Sequence, residues 1–224
     1  IEPPIVLLPT LSAIFELAVK VAKIIRQKVG QLQGESQDRQ PPVHVGIVGY
    51  NNIEWMVCDL ACALAGCVSV GLHTTYDVPS AHAVLSAANI SLLLCTKDVM
   101  TKTSASGEFW TLDRVLQYDR ELQQSSLRLQ HVCVMDASAS DVSLYSKTSY
   151  MSLPMLDMGH FCSLPHLVAT FHASPASEVV LHEPDDLPSQ DRSALFTLLF
   201  TSGTSGKPKA VKVTTEGFMR DIST

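Results

Sequence analysis

The sequence predicts an α/β protein in which helices cover layers of parallel β-sheet. Three observations carry that expectation. Strand-like and helix-period runs alternate from residue 43 to about residue 95, the connections between them are short, and capping residues fall where the helices should start and stop. Parallel neighbours cannot be joined by a tight turn, so each strand needs a crossover to reach the next, and the intervening helices supply it.

The elements follow in order. Leu11, Ile14, Phe15, Ala18, Val21, Ala22, Ile25 and Val29 recur at helical spacing between a capping Thr10 and Gly30, which predicts an amphipathic helix over residues 10–29. Lys20, Lys23, Arg26 and Lys28 suit the solvated side of a packed helix better than a membrane-surface face. Residues 31–42 are polar, aperiodic and end in a proline pair, and read as an exposed connector. Residues 43–48 form a β-rich run ended by Gly49. Asn51 or Asn52 can cap a helix from Ile53 to Ala65, closed by Gly66. A strand over 67–70, a helix opened by Asp77 and Pro79 and running to about Ala88, and strands over 90–95 and 131–135 complete a βαβ region spanning residues 43–135. Residues 136–192 are rich in Ser, Pro and His and resist assignment. A six-residue apolar run, 195–200, then leads into a Gly- and Ser-rich loop, and residues 210–213 return as a second strand, closing a unit over 195–213.

Composition sets limits. A chain of 224 residues, 46% hydrophobic and 17% charged, is that of a globular protein. Its formal net charge of -6, without clustered Lys and Arg, argues against a nucleic-acid partner and for a small molecule. The cysteines Cys58, Cys62, Cys67, Cys95, Cys133 and Cys162 lie in or near apolar runs with no metal-ligand spacing, and read as buried free thiols of a reducing compartment rather than a Cys58–Cys62 redox pair. No apolar run reaches the roughly twenty residues of a membrane helix. The chain begins at Ile1, so a targeting peptide is neither found nor excluded.

The chemistry concentrates in residues 201–211, TSGTSGKPKAV. A polyphosphate needs backbone N–H donors, hydroxyls and a cation, without side-chain bulk in the way. Gly203 and Gly206 let the backbone wrap closely, Thr201, Ser202, Thr204 and Ser205 offer hydroxyls, Lys209 and Lys207 bring charge, and Pro208 stiffens the exit. The spacing is not that of the Walker A loop. A flexible Ser/Gly linker would have no reason to sit between two apolar strands.

LFTSGTSGKPKAV resembles the phosphate-binding loop of the adenylate-forming (AMP-binding) superfamily. A second block, residues 45–76, is similar to the early region of long-chain fatty acyl-CoA synthetases through Asn52, Glu54, Trp55, Asp59, Ala61, Gly66, Val70, Thr74 and Thr75. These identify the family; Trp55 and the small residues of its helix read as packing groups rather than substrate contacts. The resemblance spans about residues 10–96 and 183–218. It implies that residues 1–224 are a partial N-terminal AMP-binding domain, an incomplete form of the adenylate-forming fold with the C-terminal domain absent.

The resemblance further implies that Thr201, Ser202, Gly203, Thr204, Ser205 and Gly206 surround the β- and γ-phosphates of ATP, with Lys209 nearby and Thr201 reaching a magnesium ion. The implied reaction is attack of a fatty acid carboxylate on the α-phosphorus, loss of pyrophosphate, and transfer of the acyl group to coenzyme A. The alternatives are an aryl-CoA ligase, an amino-acid adenylation domain, and a non-catalytic nucleotide-binding relative. The family's adenine, ribose and catalytic lysine segments match nothing here, so no catalytic residue is assigned within the chain and the piece alone is expected to lack ligase activity. The implied setting is intracellular, cytoplasmic or on the cytosolic side of a membrane, with peripheral association left open. Three departures stand out: Ser205 where Thr is usual, Ala210 where Gly is usual, and Thr215 and Gly217 where many members carry His and Asn.

Overall fold

The computed structural model describes residues 10–33, 42–101, 110–123, 126–136, 161–163, 193–202 and 208–222. Among them lie helices α1 (Leu11–Gln33), α2 (Ile53–Ala65), α3 (Val78–Ala87), α4 (Lys97–Thr101), α5 (Leu112–Glu121) and α6 (Thr215–Ile222). The strands are β1 (His44–Val48), β2 (Val68–Leu72), β3 (Leu92–Cys95), β4 (His131–Val134), β5 (Phe161–Ser163), β6 (Leu195–Ser202) and β7 (Pro208–Thr214). They form one 7-stranded sheet in the order β5-β4-β3-β1-β2-β6-β7. Every neighbouring pair is parallel except β6 and β7, an antiparallel hairpin at the edge.

The chain moves outward from β1 to β2 on one side, then crosses back past β1 to β3 and continues to β4 and β5. That reversal places helices on opposite faces of the sheet. Side-chain alternation follows it. Val45, Ile47, Leu92, Leu94, Cys133 and Met135 pack with α1 and α2. Val48, Val70, Leu72, Leu93, Val132 and Val134 pack with Ala81, Val84 and Leu85 of α3 and with Leu112, Val115 and Leu116 of α5. Leu92, Leu93 and Leu94 are all fully buried, as a central parallel strand covered on both faces requires.

Local chemistry accounts for the helix ends. The Asn52 side chain accepts from the Trp55 N–H at 2.8 Å, and Gly66 closes α2 in the left-handed region at φ 74. Arg26 of α1 donates to the Leu64 carbonyl at 2.7 Å, satisfying an end group of α2 and tying the two helices together. α1 buries Ile14, Ala18, Val21, Ala22 and Ile25 of the expected stripe together with Ile24, whereas Leu11 and Phe15, in its first turns, are exposed because the face packed against α2 lies mostly beyond them. It runs on through Gly30 to Gln33, beyond the end predicted at residue 29. A Cβ at Gly30 would meet nothing within 4 Å, and the Gln and Leu residues that follow are good helix formers.

The other boundaries move by only a few residues. β6 and β7 are longer than their predicted cores because each strand satisfies the other's backbone groups. Four of the described elements were not foreseen: α4, α5 and α6, and β5 inside the segment that resisted assignment. Most of that segment, residues 137–160 and 164–192, lies outside the described residues, as do residues 34–41 of the predicted connector. Cys58, Cys62, Cys67, Cys95 and Cys133 are free and buried, as expected; the Cys162 side chain lies outside the described residues. Among the described residues no helix is long and apolar enough to cross a membrane.

Gly49, at the carboxyl end of β1, is held to glycine by its neighbours. An added Cβ would fall 2.7 Å from Thr96 Cγ2 and 3.4 Å from Met135 Cε, and a β-branched threonine has little rotamer freedom to retreat. Gly49→Ala should therefore destabilise the fold by about 1–3 kcal/mol. Gly30→Ala, in open space, should be neutral or stabilising by up to about 1 kcal/mol. Chemical denaturation of the two variants beside the parent checks both.

Candidate functional site

Among the described residues the motif singled out in the sequence occupies the β6–β7 hairpin. β6 is apolar because its inner face is buried: Leu198 and Phe200 are 5% and 7% exposed and belong to the core beneath α3 and α5. On the other face Thr197 donates its hydroxyl to the Ser69 carbonyl of β2 at 2.9 Å. This bond and the register Ser69↔Thr197 and Val70↔Leu198 align β6 with β2. Because the two strands are parallel, β6 delivers its last residues to the carboxyl edge of the sheet. Doubly wound folds bind ligands outside that edge.

The structure brings Thr201 and Lys209 together and leaves the middle of the motif undescribed. Thr201 pairs with Lys209 and Ser202 with Pro208 across the hairpin. Directly opposed residues of an antiparallel pair hold their Cβ atoms about 5 Å apart, so the Thr201 hydroxyl and the Lys209 stem rise together on one face. Both residues are exposed. Ser202 is placed by its backbone as the last residue of β6; Gly203, Thr204, Ser205 and Gly206 lie outside the described residues. An accessible hydroxyl and an accessible ammonium at a carboxyl edge can receive an anion without desolvating a buried charge.

The exit of the hairpin is fixed by the residues that depart from the family pattern. The Thr215 N–H donates to the Ala194 carbonyl at 2.9 Å, and the Gly217 N–H donates to Thr214 Oγ1 at 3.2 Å. Phe218 of α6 stacks on Phe196 of β6 with ring centroids 4.3 Å apart. Ala210, opposite Phe200, is exposed and accommodated in the strand.

The neighbouring β2–α3 loop, residues 73–77, leaves the same edge. Trp110 braces it: its Nε1 donates to the His73 carbonyl at 2.9 Å and its N–H to the Tyr76 carbonyl at 3.2 Å. Nothing local in the sequence marks Trp110 for this role, since its partners are remote along the chain.

Two carboxylates near these elements are shifted in opposite directions. Burial on α2 pushes Asp59 above the ordinary carboxylate value, partly offset by the Ser69 hydroxyl. The Ser80 hydroxyl and N–H hold Asp77, the N-cap of α3, below that value, the N–H bond measuring 2.9 Å. Burial also drives the Cys58 and Cys62 thiols upward and Cys67 up to about 11, which keeps them protonated and poor nucleophiles. Trp55 lies against β2, 3.9 Å from where a Gly71 Cβ would be, in keeping with a packing role.

Fold and hairpin define an α/β domain with a doubly wound sheet whose β6 and β7 meet at its carboxyl edge. The family model for the AMP-binding enzyme matches residues 15–224, and the chain belongs to that family. It is 26% identical over 170 residues to the long-chain-fatty-acid–CoA ligase ACSBG2 of Rattus norvegicus, covering 75% of this chain and 20% of that protein. It is 27% identical over 180 residues to fatty acyl-CoA synthetase A of Dictyostelium discoideum, covering 80% of this chain and 22% of that protein. The chain thus spans about a fifth of the length of the curated relatives it matches. Among solved structures, the adenylation domain of a carboxylate reductase from Mycobacterium chelonae superposes with a TM-score of 0.66 at 17% identity, over 93% of this chain and 28% of that one. The expected α/β fold, in its incomplete adenylate-forming version, is therefore present.

The opposed carboxylate shifts give opposite pH dependences. A lowered folded pKa means that Asp77 stabilises the fold above its unfolded value and that this is lost as pH falls through the folded value. The raised Asp59 contributes stability below the ordinary value of 3.8, which is lost as pH rises through its folded value. Stability measured against pH should show Asp77→Asn flattening the acid limb and Asp59→Asn flattening the decline above about pH 4. Unchanged limbs would contradict the assignments.

Proposed function

We propose that the protein carrying this chain is a fatty acid–CoA ligase, activating a long-chain acid with ATP and passing the acyl group to coenzyme A. The observation that supports it most is the coincidence of the family match with a hydroxyl-rich, lysine-flanked connection at the carboxyl edge of the sheet. The named relatives support the fatty acid as substrate, since the proteins matched over 170 to 180 residues are a long-chain-fatty-acid–CoA ligase and a fatty acyl-CoA synthetase.

In this proposal the hairpin holds the departing end of ATP. Thr201 and Ser202 donate hydroxyls, Gly203 and Gly206 let backbone N–H groups approach, Thr204 and Ser205 add donors, and Lys209 neutralises charge on the β- and γ-phosphates. The exposed Thr201 hydroxyl beside Lys209 suits a polyphosphate, and its oxygen would be a ligand for a magnesium ion, which would supply further neutralisation of the same phosphates. The first step joins the acid's carboxylate oxygen to the α-phosphorus and breaks the bond to pyrophosphate; the second transfers the acyl group to the coenzyme A thiol and releases AMP. The chain's contribution to the first step is alignment and stabilisation of the leaving pyrophosphate.

The test is acid-dependent exchange of pyrophosphate into ATP by the complete protein. Lys209→Met and Ser202→Ala should each lower kcat/KM for ATP by about tenfold or more, the size expected for losing a hydrogen bond to a charged group, with folding unchanged. Palmitate should support exchange where benzoate and free amino acids do not. Unchanged ATP kinetics in both variants would defeat the phosphate assignment, and preference for an aromatic or amino acid would defeat the fatty acid assignment.

A further inference from the structure

β2 and β6 are parallel neighbours paired at Ser69↔Thr197 and Val70↔Leu198. His73 directly follows Leu72, the last residue of β2, and Thr201 lies near the end of the parallel β6, so both stand at the carboxyl edge of neighbouring strands. Thr201 is in turn paired with Lys209 across the hairpin. His73, Thr201 and Lys209 therefore share the carboxyl edge of the sheet, and all are exposed.

The His73 backbone is held from two directions. Its carbonyl accepts from Trp110 Nε1 at 2.9 Å and from the Tyr76 N–H at 3.3 Å. Trp110 is only 3% exposed, so the brace is anchored in the core beneath the loop. The imidazole stands edge-on to the Tyr76 ring, with centroids 5.2 Å apart and planes at 80°. Tyr76 itself packs partly against the core. An exposed imidazole is thus carried on a braced loop that leaves the same edge as the hairpin. Donors held in advance lose little entropy when an anion arrives.

We infer that His73 is a further phosphate-binding residue, its ring N–H donating to an oxygen of the polyphosphate held at the β6–β7 hairpin. The inference rests on the phosphate reading of that hairpin and adds a wall from the adjacent strand. The ligand class is a nucleoside triphosphate or inorganic pyrophosphate.

Calorimetric titration of the complete protein with inorganic pyrophosphate and with ATP, each with magnesium, tests it. His73→Ala should weaken both about tenfold, as for loss of a hydrogen bond to a charged group. His73→Gln, which keeps an N–H donor, should recover most of the loss. The unliganded Tm and the KM for the acid should stay at the parent values, because the side chain is exposed and lies at the pyrophosphate end. Lys209→Met serves as the reference. If Lys209→Met weakens pyrophosphate and His73→Ala does not, the role of His73 is overturned while the hairpin assignment stands. If neither changes binding, the hairpin assignment falls and takes the role of His73 with it.

Discussion

The alignment of β6 with β2 governs where the candidate site can form. Thr197 and Ser69 are 128 residues apart in sequence, yet their hydroxyl-to-carbonyl bond of 2.9 Å lies at the seam where the late part of the chain joins the early sheet. Backbone pairing alone would permit other registers, and a one-residue slip would turn Leu198 and Phe200 outward. Their burial beneath α3 and α5 opposes that slip. The parallel sense then follows from the sheet, and with it the delivery of Thr201 and Ser202 to the carboxyl edge. The antiparallel β7 brings Lys209 back to the same point.

The layers under that seam are stiffened by polar groups as well as by apolar packing. His82 of α3 donates from Nε2 to Asp119 Oδ1 of α5 at 2.8 Å, and both residues are nearly fully buried. The Ser126 N–H and hydroxyl each donate to the same carboxylate oxygen at 3.2 Å. Ser126 Oγ also approaches His82 Nε2, at 3.3 Å, so serine and aspartate meet one ring nitrogen rather than opposite ones. A nucleophilic relay needs the base between its two partners, which excludes that use here. The cluster is a clasp: with the carboxylate oxygen met by several donors, α5 is held onto α3, and leaving a buried member of the pair without its partner would cost about 1–3 kcal/mol. The same two helices cover Leu198 and Phe200, so the clasp supports the seam indirectly.

Local chemistry made part of this legible before any coordinates. Asn52 and Gly66 bracket α2 because side-chain capping and left-handed backbone are properties of single residues in place. Asp77 and Pro79 open α3 for the same reason. The two strands that flank the motif at residues 201–211 were legible because each is a short β-rich run. α5 was not, since LDRVLQYDRE is mostly polar and buries only Leu112, Val115, Leu116 and Asp119. Its helix is stabilised by tertiary contacts to α3 rather than by a conspicuous apolar stripe. β5 has three residues, too short for any periodicity to register. That His73 and Thr201 share one edge was invisible for a different reason: it follows only from the pairing of distant strands.

The departures from the family pattern past the hairpin bear on how that edge is built. Where many members carry His and Asn, Thr215 and Gly217 sit at the start of α6 and are engaged locally, Thr215 with Ala194 and Gly217 with Thr214. A Cβ at Gly217 would lie 3.4 Å from Thr214 Oγ1, an ordinary contact, so the bond that opens the helix does not itself require glycine. Their backbone N–H groups thus fasten the start of α6, whose Phe218 stacks on Phe196. Polar groups that would project toward a ligand from this side are correspondingly fewer. The edge can compensate from the opposite side, where the β2–α3 loop carries His73 on a backbone braced by Trp110. In the phosphate reading proposed above, ring donation at this edge comes from the β2–α3 loop rather than from the residues that follow the hairpin.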